Sequence, residues 1–523
     1  MSRPVAEHDP AASLAPRLAG GLVDRSQPLS FRFDRKTYWG FAGDTLASAL
    51  LANGVTLVGR SFKYHRPRGI FTAGPEEPNA LVELRTGARR EPNTRATTVE
   101  LFEGLEAASQ NRWPSLAFDL LSANQLFSPL LVGGFYYKTF MWPAALWEKI
   151  YEPMIRRAAG LGRASGLADP DRYEKATAHC DVLVIGSGPA GLMAALAAGR
   201  TGARVILCED DFRLGGRLLA ERQEIGGMPG HEWAHQVEQE LASLPEVRIF
   251  RRTQVFGVYD GGTYGAVERV SDHLPVPGEH QPRQRLWRFV ARRCINAMGA
   301  IERPLVFGGN DRPGVMMASA VRTYVNRFAV APGSKVAVFT TTDDGWSTAA
   351  ALAAAGVEVA AVVDPRASVA DRVMRHAGDA RMVLGATVLD AHGGRTLRRI
   401  DIRQGTKRFS LDVDTLAVSG GWNPQIALTT HRGAKPRWSE ELSTFLPDGL
   451  PAGMTVVGAA NGILTLAGAL RTGAQAGTEA AEALGFGGAA VPVPSVADEP
   501  TGSSPLWHVE GSRKKAFVDL RTT

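Results

Sequence analysis

The chain is 523 residues long, room for three or four domains at roughly 150 residues each, and its 44% hydrophobic and 21% charged residues supply a real globular core. A net charge of +6, with a pI near 9.3, is a mild excess spread along the chain with no concentrated stripe of cations and aromatics, so nucleic acid is not an expected partner. Three scattered cysteines (Cys180, Cys208 and Cys294) exclude a disulfide framework or a four-thiolate metal site.

Residues 1–20 read as a flexible tail without signal-peptide character, and the apolar stretch near 126–147 is interrupted by Lys138 and Pro143. No membrane contact and a cytoplasmic location are therefore expected. Residues 21–95 open with a strand pair around FRF (31–33) and Tyr38. A helix follows through Ser48 and Leu51, capped by Gly43 or Asp44 and stopped at Gly54, and then a further strand at 80–84. Residues 96–180 mix Trp113, Phe118, Tyr136, Tyr137, Trp142 and Trp147 with Pro and Gly, the pattern of an irregular helical connector.

At Asp181 the texture becomes strand, glycine loop, helix, strand. The run DVLVIGSGPAG (181–191) is an apolar strand entering a tight turn at Gly186. Gly188 lets the backbone approach a pyrophosphate at the helix N-terminus, Pro189 and Ala190 open the helix, and Gly191 allows it to pack on the strand. The next strand, ARVILCE, ends at Glu209, about 20 residues past the loop, where a carboxylate meets the ribose hydroxyls and disfavours a 2′-phosphate. Asp210 is the alternative by register, and Gly216, Arg217 and Gly299 complete this half of the candidate site.

A second β-α-β unit starts near Ser334. Its loop, TTTDDGW (340–346), has lost the glycines and carries Asp343 and Asp344 where phosphates would lie, so pyrophosphate binding there is not expected. The first domain is thus expected to comprise 181–325 and 415–487, the degenerate second domain 326–414, and a linker or truncated tail 488–523. The fold class is α/β: a Rossmann-like flavoprotein with two dinucleotide-binding domains.

Five segments, 59–84, 252–274, 295–320, 416–428 and 456–470, resemble in order the alpha subunits of heterotetrameric sarcosine oxidases. The resemblance runs from about residue 20 to 519. It implies an NAD site on Gly186, Gly188, Gly191 and Glu209, with Gly458 and Asn461 near the far half of the dinucleotide. Related two-dinucleotide flavoproteins place a carboxylate at that last turn; GAAN (458–461) has none, which favours NAD over FAD, the alternative occupant. The resemblance further implies a small-molecule amine substrate, a beta-type flavoprotein subunit with smaller subunits, FMN at the alpha–beta interface, and an N-terminal [2Fe-2S] ferredoxin-like β-grasp domain. The loop at 70–80 has no cysteine, so no iron–sulfur cluster is expected. The basic run YHRPRG (64–69) reads as an interface or loop-fixing element.

The family's folate-binding domain should open near 515–519, where this sequence ends, leaving folate chemistry unsupported. No catalytic residue is assigned: His65, His179, His273 and His431 read as ordinary surface or core histidines, and no metal site is expected. Two other readings stand beside the subunit: a self-contained FAD and pyridine-nucleotide enzyme, and a non-catalytic assembly scaffold.

Overall fold

The computed structural model describes residues 17–127, 142–158, 160–487, 491–499 and 501–518. The tail expected at 1–20 lies mostly outside them; Arg17 within it pairs with Asp44 at 2.7 Å.

The first body is a five-stranded sheet of β1 (Asp24–Phe33), β2 (Lys36–Ala42), β3 (Leu81–Leu84), β4 (Glu91–Arg95) and β5 (Leu105–Ser109), in the order β2-β1-β5-β3-β4, with β1 and β5 parallel. Alternation in β1 sends Phe31 and Phe33 inward and Arg32 outward. The inward side chains meet Leu46 and Leu50 of α1 (Leu46–Ala52). Thr45, not Gly43 or Asp44, caps α1: its side chain accepts from the Ser48 amide, and the Ser48 hydroxyl in turn accepts from the Thr45 amide. Asp44 instead takes the Phe41 amide and the Ser48 hydroxyl, bracing the turn.

Strand β5 lies inside the stretch expected as a helical connector. Its short, small-residue sequence, LEAAS, carries little strand signal, and pairing with β1 and β3 on both sides makes it one. The connector is helical only at 120–127 and 144–158 among the described residues.

The second body begins with β6 (Tyr173–Ile185), α2 (Pro189–Gly199), β7 (Val205–Cys208), α3 (Gly230–Ser243) and β8 (Val247–Phe250). A meander of β9 (Thr253–Tyr259), β10 (Thr263–Glu268) and β11 (Gln284–Asn296) follows. Strands β8, β7, β6 and β11 are mutually parallel. The four residues at 182–185 are buried on both faces: Val182 and Val184 pack with α2 and α3, and Leu183 and Ile185 with the β9–β11 meander.

The chain then enters a second parallel sheet of β12 (Val315–Met317), β13 (Lys335–Thr340), β14 (Glu358–Asp364), β15 (Arg381–Leu384) and, later in sequence, β19 (Thr415–Ser419), ordered β12-β19-β13-β14-β15. Helices α4 (Ala318–Asn326) and α5 (Asp343–Ala354) flank it. The antiparallel β16 (Ala386–His392), β17 (Arg399–Gln404) and β18 (Lys407–Asp412) form a three-stranded appendage. Both β12 and β19 were expected in the first nucleotide-binding domain. Each carries the chain across the boundary, and an apolar run looks the same whichever sheet receives it. Strand β20 (Met454–Val456) then rejoins β11 at Cys294, Ile295 and Asn296, and α6 (Leu466–Glu482) packs on α2.

Residues 491–518 do not behave as a linker. Val491, Val509 and Phe517 are buried, and bridges join Val306 to His508, Gly308 to Ala516 and Thr342 to Ser503. Pro and Ser in this stretch leave few helix or strand signals, but the segment satisfies its polar backbone on surfaces that only the folded body provides.

Candidate functional site

A cavity of about 810 Å³ lies where the first body, both nucleotide-fold sheets and the C-terminal segment converge. At its centre is the 186–191 loop. Gly186 has φ +94°, and a Cβ there would fall 2.6 Å from the Ala297 carbonyl oxygen. A Cβ on Gly191 would lie 1.9 Å from the Gly186 carbonyl, so this glycine closes α2 onto its strand. At Gly188 a Cβ would meet nothing within 4 Å: the space above it is open. Gly188 is the N-cap of α2 and no side chain caps that terminus; Pro189 and Ala190 follow it along the cavity wall. Uncapped first-turn amides beside an open glycine are what an anionic pyrophosphate requires.

Glu209 lines the same wall. Its Oε2 accepts from the Ser187 amide at 2.8 Å and the Ser187 hydroxyl at 2.6 Å, and its Oε1 accepts from the Asp211 amide at 2.9 Å. Burial pushes its carboxyl above the usual range. Two of its acceptor positions hold the phosphate loop in shape, a third fixes the turn at Asp211, and one remains for a sugar hydroxyl. Asp210 also lines the cavity but is paired with Arg269 at 2.9 Å, and Asp211 is paired with Arg327. Gly216 sits 3.0 Å, by its would-be Cβ, from Gly188 Cα, and Gly299 forms part of the lining.

Arg217 works through its side chain rather than its backbone. It donates to Glu221 at 2.6 Å, to the Leu464 carbonyl at 2.7 Å and to Glu499 at 2.6 Å. The far turn differs from expectation. Gly458 (φ +60°) lies under Ala190, and Asn461 is exposed and is not among the lining residues; Ala459, Ile463 and Leu464 are. The 3₁₀ turn Gly458–Asn461 rotates the asparagine away from the cavity.

The second nucleotide fold is closed. Thr342 caps α5 by accepting from the Gly345 amide, Asp343 pairs with Arg366 at 2.7 Å and accepts from the Gly502 amide at 2.8 Å, and Asp344 pairs with Arg322 at 3.0 Å. Charge repulsion was the expected obstacle to a phosphate. The structure shows both carboxylates neutralised and the place taken by the chain's own residues 501–504.

Sequence reasoning missed the residues that reach the cavity from far away: 73–76 and 97–100 of the first body, Arg327, and Glu499 with 501–505. No local motif marks them. Glu77 was also missed. It is buried in the 70–80 loop and accepts from the amides of Phe71 (3.0 Å), Thr72 (2.6 Å), Asn79 (2.7 Å) and Ala80 (2.9 Å). Asp390, His392 and Asp401 also group within 4.8 Å, but the Lys514 ammonium lies 2.7 Å from His392 Nδ1, and Ser512 and Ser410 occupy the two carboxylates.

Two family models match. Residues 26–112 match the 2Fe-2S iron-sulfur cluster binding domain, and residues 181–255 match the FAD dependent oxidoreductases. The first match corrects the expectation that no iron–sulfur cluster belongs in the plan of this chain: its N-terminal body has the fold of a cluster-binding domain. The donor set present there does not fit thiolate ligation, because 26–112 contains no cysteine and the loop amides converge on Glu77. The second match names FAD, which had been placed behind NAD. Across 91% of this chain and 77% of the other, the fold is also that of L-proline dehydrogenase from P. horikoshii (TM-score 0.59, 20% identity).

Fold and matches together define an α/β protein whose residues 181–255 match the FAD dependent oxidoreductases, joined to a ferredoxin-like domain. More narrowly, the chain is a homologue of sarcosine oxidase subunit alpha. It is 54% identical to that protein of Rhizobium meliloti (strain 1021) over 96% of its own length, and 37% identical to that of Corynebacterium sp. (strain U-96) over 97%. It spans about half the length of these relatives, 51% and 50% respectively. Among the described residues no helix is long and apolar enough to cross a membrane.

Proposed function

We propose that the chain is the alpha-type subunit of a flavin-dependent amine oxidoreductase acting on sarcosine, and that its own cavity binds an adenine dinucleotide, NAD. The observation that carries the dinucleotide is the uncapped N-terminus of α2 beside open Gly188, set against the capped and filled second fold. The ring of NAD accepts or donates a hydride when it takes part in chemistry. The residues of this chain do something simpler: α2 amides hold the pyrophosphate, Glu209 accepts from the ribose, and the walls from three bodies exclude water. NAD is supported at the far end, where the first amide of α6 already donates to Glu499 and so is not available to an electron-rich flavin edge. FAD remains the second reading because the family match at 181–255 names it.

Amine oxidation itself (sarcosine, oxygen and water giving glycine, formaldehyde and hydrogen peroxide) is assigned to the assembly with a beta-type flavoprotein that shares FMN with this chain. A concentration of exposed large side chains supports a covering partner: Trp113, Phe118, Leu126, Phe127 and Trp142 lie in or beside the connector and are each more than half exposed. The deciding experiment is to denature the purified chain and identify the released nucleotide by chromatography and mass. NAD without flavin supports the reading. Stoichiometric FAD would replace it with the self-contained flavoenzyme. Peroxide production from sarcosine is expected only after a beta-type subunit is added.

A further inference from the structure

The first body and the appendage β16–β18 face each other across a second cleft, of about 500 Å³, remote from the dinucleotide cavity in its lining. Five arginines, Arg60, Arg66, Arg312, Arg395 and Arg398, line it, with Asp311 the one acidic side chain in the lining. They come from three separate parts of the chain, so their convergence is a product of the fold.

The charges are poorly compensated. Asp311 is shared: Arg66 grips it with two bonds, at 2.6 and 2.7 Å, and Arg68 donates to it as well. Arg60 spends its donors on neutral carbonyls, those of Leu116 (2.7 Å) and His65 (3.2 Å), and lies 4.0 Å from Asp119, which is itself bonded to His65 at 2.7 Å. Arg312 likewise donates to the carbonyls of Gly393 and Gly394, and its Nε is buried without a partner. Among the described residues no carboxylate forms an ion pair with Arg312, Arg395 or Arg398. Burial and the Arg395 charge push the Arg60 guanidinium down, and burial and the Arg66 charge do the same to Arg312. Like charges gathered in a concavity at a cost in stability call for an anion.

We infer that this cleft is a binding site for a phosphate group, held by the converging guanidinium groups of Arg60, Arg312, Arg395 and Arg398. A tetrahedral dianion suits several guanidinium forks arriving from different directions, and the volume leaves room for an organic substituent on the phosphate. An acidic segment of another chain is the competing occupant, but it would meet the arginines along an extended face rather than in a pocket.

The test is calorimetric titration of the chain with inorganic phosphate and with phenyl phosphate, ionic strength held constant with chloride. One saturable site is expected. The double variant Arg395→Ala/Arg398→Ala removes two exposed side chains and should bind at least about tenfold more weakly, with a melting temperature no lower than the parent's and unchanged dinucleotide affinity. Tighter binding of phenyl phosphate identifies an organic phosphomonoester as the ligand; equal binding identifies free phosphate. Absence of saturable binding up to the order of 1 mM phosphate, as an acidic protein partner would predict, overturns the assignment. So does binding that survives the double substitution, which would place the anion on α2 instead.

Discussion

Glu302 is 8% exposed, its Oε2 accepts from the Ser319 amide at 2.7 Å, and its Oε1 has no partner. Burial, with the Asp344 charge second, pushes its carboxyl from 4.5 up to about 7. Between those values the unfolded chain has released the proton while the folded protein keeps it. Stability therefore falls as pH rises through that window, by about 3 kcal/mol in all, and is restored below it. Glu302→Gln keeps an acceptor for Ser319 and cannot ionise. In urea unfolding it should match the parent at pH 4.5 and exceed it by about 3 kcal/mol at pH 8; an equal difference at both pH values would show that ionisation is not the cause. At this scale the sequence was most legible where one residue type alone can serve. Gly186 and Gly191 were readable because a Cβ at either would strike a backbone carbonyl, whereas the space over Gly188 is open to a ligand and not filled by the chain. Asn461 was misread, since the direction of a side chain on a turn depends on the turn's geometry and not on its composition.

Helix α2 is apolar and buried on every side, so its position rests on packing alone, chiefly against α6. The two backbones approach closely because α6 carries glycine at the contact: a Cβ on Gly473 would lie 2.1 Å from the Ala190 carbonyl oxygen, and on Gly477 2.3 Å from that of Ala194. Backbone cannot yield as a flexible side chain can. Gly473→Ala should destabilise the fold by about 3 kcal/mol, and by shifting the N-terminus of α2 it should weaken dinucleotide binding as well, which calorimetry on the refolded variant would detect. Wild-type affinity in Gly473→Ala would mean that the helix N-terminus does not hold the pyrophosphate. The strand–helix–strand units beginning at Asp181 and near Ser334 were visible as apolar runs, while α3, α4, β12 and β15 were not marked by any such pattern. Strand β5 was not visible either, because its identity comes from its neighbours β1 and β3.

The C-terminal segment ties the bodies together. Glu499 accepts from Arg217 and Gln223, both at 2.6 Å, and from the Leu466 amide, while the Gly502 amide and the Ser504 amide bond Asp343 and Thr341. Removing residues 491 onward should leave Arg217 with one carboxylate in place of two, open the α5 terminus and unroof the cavity. The truncated chain should melt lower and bind its dinucleotide at least about tenfold more weakly. An unchanged melting temperature and affinity would reduce this segment to the passive linker that its composition suggests.

What the sequence determined by itself was chemistry carried by contiguous residues: a strand, a glycine loop, a helix and an acid about 20 residues on, together with the kinship to sarcosine oxidase alpha subunits. These survive because local backbone conformation and close approach to a phosphate are written over a few adjacent positions. Only the tertiary structure decided what fills the second nucleotide fold, how Asp343 and Asp344 are neutralised, and that Glu77 gathers four backbone amides in a ferredoxin-like loop. It alone brought five arginines from three parts of the chain into one cleft. Each of these depends on partners tens to hundreds of residues apart, and burial, charge compensation and access are properties of the folded surface that no local pattern encodes.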